Sequence, residues 1–330
     1  MTFSDYMNEW LYGEDGYYSH YRSIGKEGDF YTAVSTSKFF GGAIANFLIR
    51  RIEEGHLSKH LTLCEIGAHK GYLLADMIEF IYTLKPELLD TISFVIVERY
   101  EHLRIKQKAY FEESFGDAVS IKQIASLDEL NVEEAFFVAN EIFDAFSCDL
   151  LHKGKTAIVK DHKILFEAED ESVLERAKKY DQVGGEVAVG FEDFAKSMSN
   201  AAKKSEFVTF DYGDVTVRND FSVRIYEGHE VYPLFDEKIN LAKLFKQSDI
   251  TFDVNFSHLA DAYKEAGFDK VAFMTQLKAL IEFGILDLLE MVEKNAGFEA
   301  YTYELTKVKT LIDPSVMGER FKMIHFKKGD

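Results

Sequence analysis

Four apolar runs, unbroken by polar alternation and each closed by an acid, constrain this chain more than any other feature. They are LTLCEIG (61–67), TISFVIVE (91–98), EEAFFVANE (133–141) and SEFVTFDYG (205–213). A strand with one wet face alternates polar and apolar residues, so unbroken runs predict parallel strands covered on both faces. Helical spacing follows the first run, with Leu73, Leu74, Met77, Ile78 and Ile81 three and four apart. Residues 100–114 read as a second helix and AVSIK (118–122) as a short strand. Ser257 is the expected cap of a helix through Ala266, closed by Gly267, before a strand FDKVAFMT (268–275). FKMIHFKK (321–328) leaves no length for another crossover, so it is expected to pair antiparallel. The pattern predicts an α/β fold with a doubly wound, mostly parallel seven-stranded sheet and an antiparallel terminal strand. In such sheets function gathers at the carboxyl ends of the strands.

Three segments fall outside the alternation. Residues 1–60 form an aromatic N-terminal segment; 150–204 hold a hairpin-like pair, KTAIVKD and HKILFEAE; 214–256 are rich in tyrosine and phenylalanine. We read them as helical and aromatic insertions forming a substrate-side cap over a core of 61–149 and 205–330. At 330 residues, 47% hydrophobic and 14% aromatic, the chain has material for a large core. Its 57 acids against 38 bases leave a formal charge of −19, which disfavours nucleic acid and anionic membranes and suits a basic partner. Cys64 and Cys148 have neither disulfide nor metal-ligand spacing, and read as core residues of a reducing compartment. No secretory signal and no run of roughly 18 apolar residues is visible, so a cytoplasmic protein without a membrane span is expected.

The first turn, Glu65-Ile66-Gly67-Ala68-His69-Lys70-Gly71, carries the most chemistry. It lacks the Gly-Lys-Ser/Thr of a phosphate loop and the full nicotinamide fingerprint. Acid-x-Gly-x-x-x-Gly suits S-adenosylmethionine, which has a ribose and no pyrophosphate. The same residues also describe a tight strand–helix turn with no ligand. Glu98 ends the second strand where a ribose diol would be hydrogen-bonded, or else is a solvated strand-end acid. After the fourth strand, Asn140, Glu141 and Asp144 leave the apolar run abruptly. Glu141 and Asp144 are three apart at an expected helix start, where two carboxylates hold a guanidinium or ammonium nucleophile, or cap the helix. Asp211-Tyr212-Gly213 ends the fifth strand in the same way. No histidine or cysteine pattern marks a metal site.

These residues sit inside longer blocks: LYGEDGYY (11–18), IGKEGDFYTAVSTSKFFGG (24–42), CEIGAHKGYLLADM (64–77), VERYEHLRIKQ (97–107) and ANEIFDAF (139–146). FDYG (210–213), VRIYEGHEVY (223–232), SDITFDVNFSHL (248–259) and DPSVMGERFKMIHF (313–326) continue the series. The chain thereby resembles the MidA-type class I methyltransferases, relatives of a mitochondrial complex I assembly factor that methylates a protein arginine. The resemblance implies a class I methyltransferase (Rossmann-like) fold and S-adenosylmethionine as cofactor. It implies a cofactor site at Glu65, Gly67, His69, Gly71, Glu98, Asp29, Thr32 and Asn140, with Tyr31 nearby. Glu141 and Asp144 then face the acceptor, a basic arginine-bearing protein segment, with respiratory-complex subunits among the candidates that the resemblance offers. A non-catalytic assembly chaperone on the same fold is the alternative. The chain departs from the family pattern at His69 (glycine), Arg99-Tyr100 (Ser-Pro), Phe146-Ser147 (Leu-Pro) and Asn255 (aspartate). His69 has three readings: it contacts the cofactor, points to solvent, or blocks the pocket.

Overall fold

The four apolar runs are buried along most of their length, and all seven expected strands form. They are β1 (Thr62–Ile66), β2 (Ser93–Val97), β3 (Ile121–Ile124), β4 (Val132–Asn140), β5 (Ala202–Asp214), β6 (Asp269–Thr275) and β7 (Phe321–Lys328). The computed structural model describes residues 1–20, 32–228 and 230–329. The sheet order is β6-β7-β5-β4-β1-β2-β3. β1 through β5 pair in parallel, while β6 and β7 pair antiparallel. The strand order reverses beside β1, the switch point at which open α/β sheets bind ligands.

The chain divides into two units. A sheet unit comprises Thr32–Asn140, Lys196–Asp211 and Gly267–Asp330; an insertion unit comprises Met1–Tyr31, Glu141–Ala195 and Tyr212–Ala266. This partition differs from the expected one. Residues 32–60 belong to the sheet unit, because α1 (Phe39–Glu53) packs on α2 (Tyr72–Leu84). Gly41 and Gly42 make that approach possible: a Cβ on either would stand 2.7 Å from Asp76 or Phe80 of α2. Residues 141–149 and 257–266 join the insertion unit instead of the core.

Within the sheet unit, α3 (Glu101–Phe115) follows β2, and two helices merge over Ile285–Ile312 across a non-helical Gly297. Gly116, with φ +56°, ends α3, and pairing begins only at Ile121, later than the AVSIK run suggests. Within the insertion unit, strands Cys148–His152, Lys155–Lys160, Lys163–Ala168 and Gly184–Ala188 make an antiparallel sheet. Its predicted hairpin turns at Asp161 and His162, both at positive φ, as a two-residue primed turn requires. A second antiparallel sheet joins Arg224–Glu227, Glu230–Pro233 and Asp249–Thr251. The insertions are therefore built on β-sheets as well as on the aromatic and helical segments expected. Thr2 caps the helix Phe3–Tyr12, which buries Phe3, Tyr6, Met7, Trp10 and Leu11. Asn255, not Ser257, caps the helix Phe256–Glu265, its side chain accepting from the amides of Ser257 and His258. Cys64 and Cys148 are buried. No helix among the described residues is long and apolar enough to cross a membrane.

Candidate active site

The first turn of the sheet unit is closed by the Gly71 amide donating to the Ala68 carbonyl at 2.7 Å. Gly67, His69 and Gly71 all have positive φ, +71°, +47° and +81°. His69 thus occupies a backbone setting that glycine enters freely and other residues enter at a cost of about 1–2 kcal/mol. Gly71 lies against α3, where a Cβ would come 2.7 Å from the Phe111 ring. The His69 side chain is half-buried.

α2 begins at Tyr72 behind Gly71, which has no side chain to cap it. Glu65 of β1 does so from below: its Oε2 accepts the Leu74 amide at 3.0 Å. Burial pushes its carboxyl up to about 8, with Asp76 and Glu98 adding repulsion against that one hydrogen bond. Asp76 is pushed up to about 7 by burial and by Glu79. Glu98, just past β2, is only 6% exposed, which rules out the solvated strand-end acid. Its Oε1 accepts the Tyr100 amide at 3.1 Å. Burial raises its pKa, opposed by the Tyr100 and His69 amides and by Arg104 and Arg99. Two acids therefore sit buried and raised beneath a turn of left-handed backbone.

Thr32 is buried, caps the helix Ala33–Thr36 and shares a capping box with Ser35. Asn140, the last residue of β4, is half-buried and pairs with Phe210 of β5. Asp29 and Tyr31 lie outside the described residues.

In the insertion unit the expected helix start at 141–146 is absent. Glu141 takes φ +52°, which breaks the chain direction, and a turn from Phe143 to Phe146 follows. Glu141 and Asp144 consequently share no helix face, and neither serves as a helix cap. Asp144 is buried, and its Oδ2 accepts the Tyr212 hydroxyl. That hydroxyl also lies 2.6 Å from Thr251 Oγ1. Burial pushes the Asp144 carboxyl up to about 6 against the pull of Tyr212 and Arg224. The Arg224 guanidinium stands 4.8 Å from the Tyr212 ring centre and donates to Asp253 at 2.6 Å. Nearby in sequence to Thr251, buried Asp249 accepts the Tyr18 hydroxyl through both oxygens, at 3.0 and 3.1 Å. Tyr18 stacks on Tyr12 at 5.6 Å.

Sequence reading missed Tyr18, Asp249, Thr251, Arg224 and Asp76. All five stand inside the quoted blocks LYGEDGYY, CEIGAHKGYLLADM, VRIYEGHEVY and SDITFDVNFSHL, which need only be read for buried polar residues. Among the described residues, no group of three His, Cys, Asp or Glu side chains could hold a metal ion.

The fold and strand order define a class I methyltransferase architecture. A Burkholderia thailandensis crystal structure bound to S-adenosyl-homocysteine superposes with a TM-score of 0.84 at 24% identity, covering 99% of this chain and 88% of the other. A second, native structure from the same organism gives 0.81 at 22% identity, covering 99% and 87%. Among curated proteins, "Protein arginine methyltransferase NDUFAF7, mitochondrial" of Danio rerio is 24% identical over 359 residues, covering 98% of this chain and 82% of its own length. The Homo sapiens counterpart is 24% identical over 360 residues, covering 97% and 78%. Residues 43–274 match the family described as "Putative S-adenosyl-L-methionine-dependent methyltransferase". The chain belongs to that family and is an S-adenosylmethionine-dependent methyltransferase.

Proposed function

We propose that the enzyme methylates a cationic protein side chain, arginine first among candidates. The observation that carries the cofactor side of this reading is Glu98, a buried carboxyl at the end of β2 next to the positive-φ turn. A buried acid with a raised pKa fits a ribose diol, whose two hydroxyls satisfy oxygens that water cannot reach. Gly67 and Gly71 let backbone approach the cofactor, His69 lies between them, and Thr32, Asn140 and the undescribed Asp29 complete the proposed set. Bound S-adenosylmethionine supplies an already activated methyl group. The chain's own work is then to position the nucleophile and exclude competing water.

On the acceptor side, Asp144 is a buried carboxyl oriented by Tyr212, which fits a charge-assisted bond to a guanidinium. Glu141 is its proposed companion. The relatives named as protein arginine methyltransferases and the charge of −19 favour a basic protein partner. Arginine-bearing peptides of respiratory-complex subunits are the first substrates to try, on family resemblance.

Two measurements test the reading. Glu98→Ala should weaken calorimetric binding of S-adenosylhomocysteine by about 1.5–3 kcal/mol, the loss of a charged acceptor; unchanged affinity in a folded variant removes Glu98 from the site. Asp144→Asn and Glu141→Gln should keep cofactor affinity while single-turnover transfer to peptide falls on the order of a hundredfold. Wild-type transfer in both variants would remove the acceptor role.

A further inference from the structure

The left-handed turn at His69 rests on two glutamine side chains, one fully buried and one half-buried. Gln107 of α3 is fully buried, and its Nε2 donates to the His69 carbonyl at 2.9 Å. Its own Oε1 accepts from Gln123 Nε2 at 2.7 Å. Gln123, on β3, also donates to the Arg104 carbonyl at 2.8 Å. The two backbone carbonyls set the direction: Gln123 donates an N–H to the Gln107 oxygen, and the Gln107 amide nitrogen faces the turn. The Phe111 ring and the Gln107 stem also flank Gly71, so the same face of α3 touches the turn twice.

A non-glycine residue at φ +47° carries a backbone cost that its surroundings must offset. Leaving that carbonyl buried and unbonded would add a desolvation cost. We propose that Gln107 and Gln123 are positioning residues that clamp the His69 backbone in its left-handed conformation. They thereby hold the first turn ready for the cofactor in a chain that lacks glycine there. This rests on the cofactor reading above. It also makes a claim about the ligand-free turn that stands or falls separately. The His69 amide is directed to Glu98 by the same conformation. The clamp therefore links β3, α3, the turn and the strand-end acid in one chain of hydrogen bonds.

In Gln107→Met the stem is kept and both bonds are lost. Without the clamp the turn relaxes before ligand arrives, and binding must restore it. Calorimetry should then show S-adenosylhomocysteine affinity falling about tenfold, with melting temperature dropping more with ligand than without. Adding His69→Asn, a residue that enters left-handed backbone more readily, should restore most of the affinity. A glutamine that merely fills the core would not be rescued from the turn. Gln123→Met, which spares the Gln107–His69 bond, should give a smaller loss and serves if Gln107→Met does not fold. Wild-type affinity in the single variants, or a double variant no better than Gln107→Met, overturns the clamp. Should the wild-type protein bind no S-adenosylhomocysteine, the cofactor reading fails and hydrogen exchange decides the clamp. Amides 67–71 should exchange faster in Gln107→Met while β1 is unchanged, and equal exchange would sink the proposal.

Discussion

Two buried glutamates of the sheet unit have opposite fates. Glu206, in the amino-terminal half of β5, meets Arg51 of α1 and His325 of β7. Arg51 Nη2 donates at 2.6 Å and Nε at 3.0 Å, and His325 Nε2 lies 3.0 Å away. Burial alone would raise its pKa, but these partners hold it at about 2. Glu65, at the carboxyl end of β1, has one backbone amide and acidic neighbours, and is pushed up to about 8. The same residue type at similar burial is thus a neutralised fixture in one place and a poised acid in the other. The difference lies in the partners. Natural proteins leave buried acids without counter-cations chiefly where function needs them, so the contrast separates scaffold from site.

The largest effect should come from breaking the scaffold acid. Glu206→Ala leaves Arg51 and His325 without their carboxylate and should cost about 3–5 kcal/mol of unfolding free energy. The pH sign follows from the lowered pKa. The carboxylate's contribution is complete above its ordinary 4.5 and is lost as pH falls toward about 2. Denaturant titration at pH 7 and pH 3 should show the variant's deficit shrinking at the lower pH. An equal deficit at both would mean that packing, not charge, holds this site.

Glu65 should behave in reverse and more weakly. Its folded pKa lies above its unfolded one, so the fold favours the protonated form. Stability conferred below about pH 4.5 is eroded as pH rises through about 8. Glu65→Gln keeps an acceptor for Leu74 and removes the titration. At pH 8 it should be more stable than wild type by on the order of 2 kcal/mol or more, and at pH 4 indistinguishable. Parallel stability–pH curves for the two proteins would erase the contrast with Glu206.

Much of this arrangement could be read from the residues. The four apolar runs announced the sheet because a strand covered on both faces has no polar alternation to confuse it. Glu65 and Glu98 were legible because strand ends at a switch point are few. Their burial was not legible, since it depends on α3 and β3 folding back over the turn. Gln107 was invisible for the same reason: a glutamine on a helix looks alike whether it faces water or a carbonyl. The helix expected at 141–146 failed because Glu141 adopts φ +52°, a state that glutamate's local preferences do not signal. In the insertion unit only the hairpin of Lys155–Lys160 and Lys163–Ala168 was evident, because its turn and alternation are local. Gly184–Ala188 and Asp249–Thr251 pair across long sequence separations, with Cys148–His152 and Arg224–Glu227 respectively.

The smallest expected effect concerns His69 itself, and it sharpens the comparison between a strained turn and a rigid scaffold. His69→Gly restores the family residue at φ +47°. Glycine relieves about 1–2 kcal/mol of left-handed backbone cost, yet raises unfolded-chain entropy by about 0.4–1 kcal/mol. The two nearly cancel, so unfolding free energy should move by less than about 1 kcal/mol. Cofactor affinity should change by less than about tenfold, 1.4 kcal/mol, if the half-buried imidazole neither grips nor obstructs the ligand. Calorimetry with S-adenosylhomocysteine reads this directly. A loss well beyond tenfold would make the imidazole a ligand contact. A gain of that size would mean that the side chain stands in the cofactor's way, and that the turn held by Gln107 is shaped to keep it there.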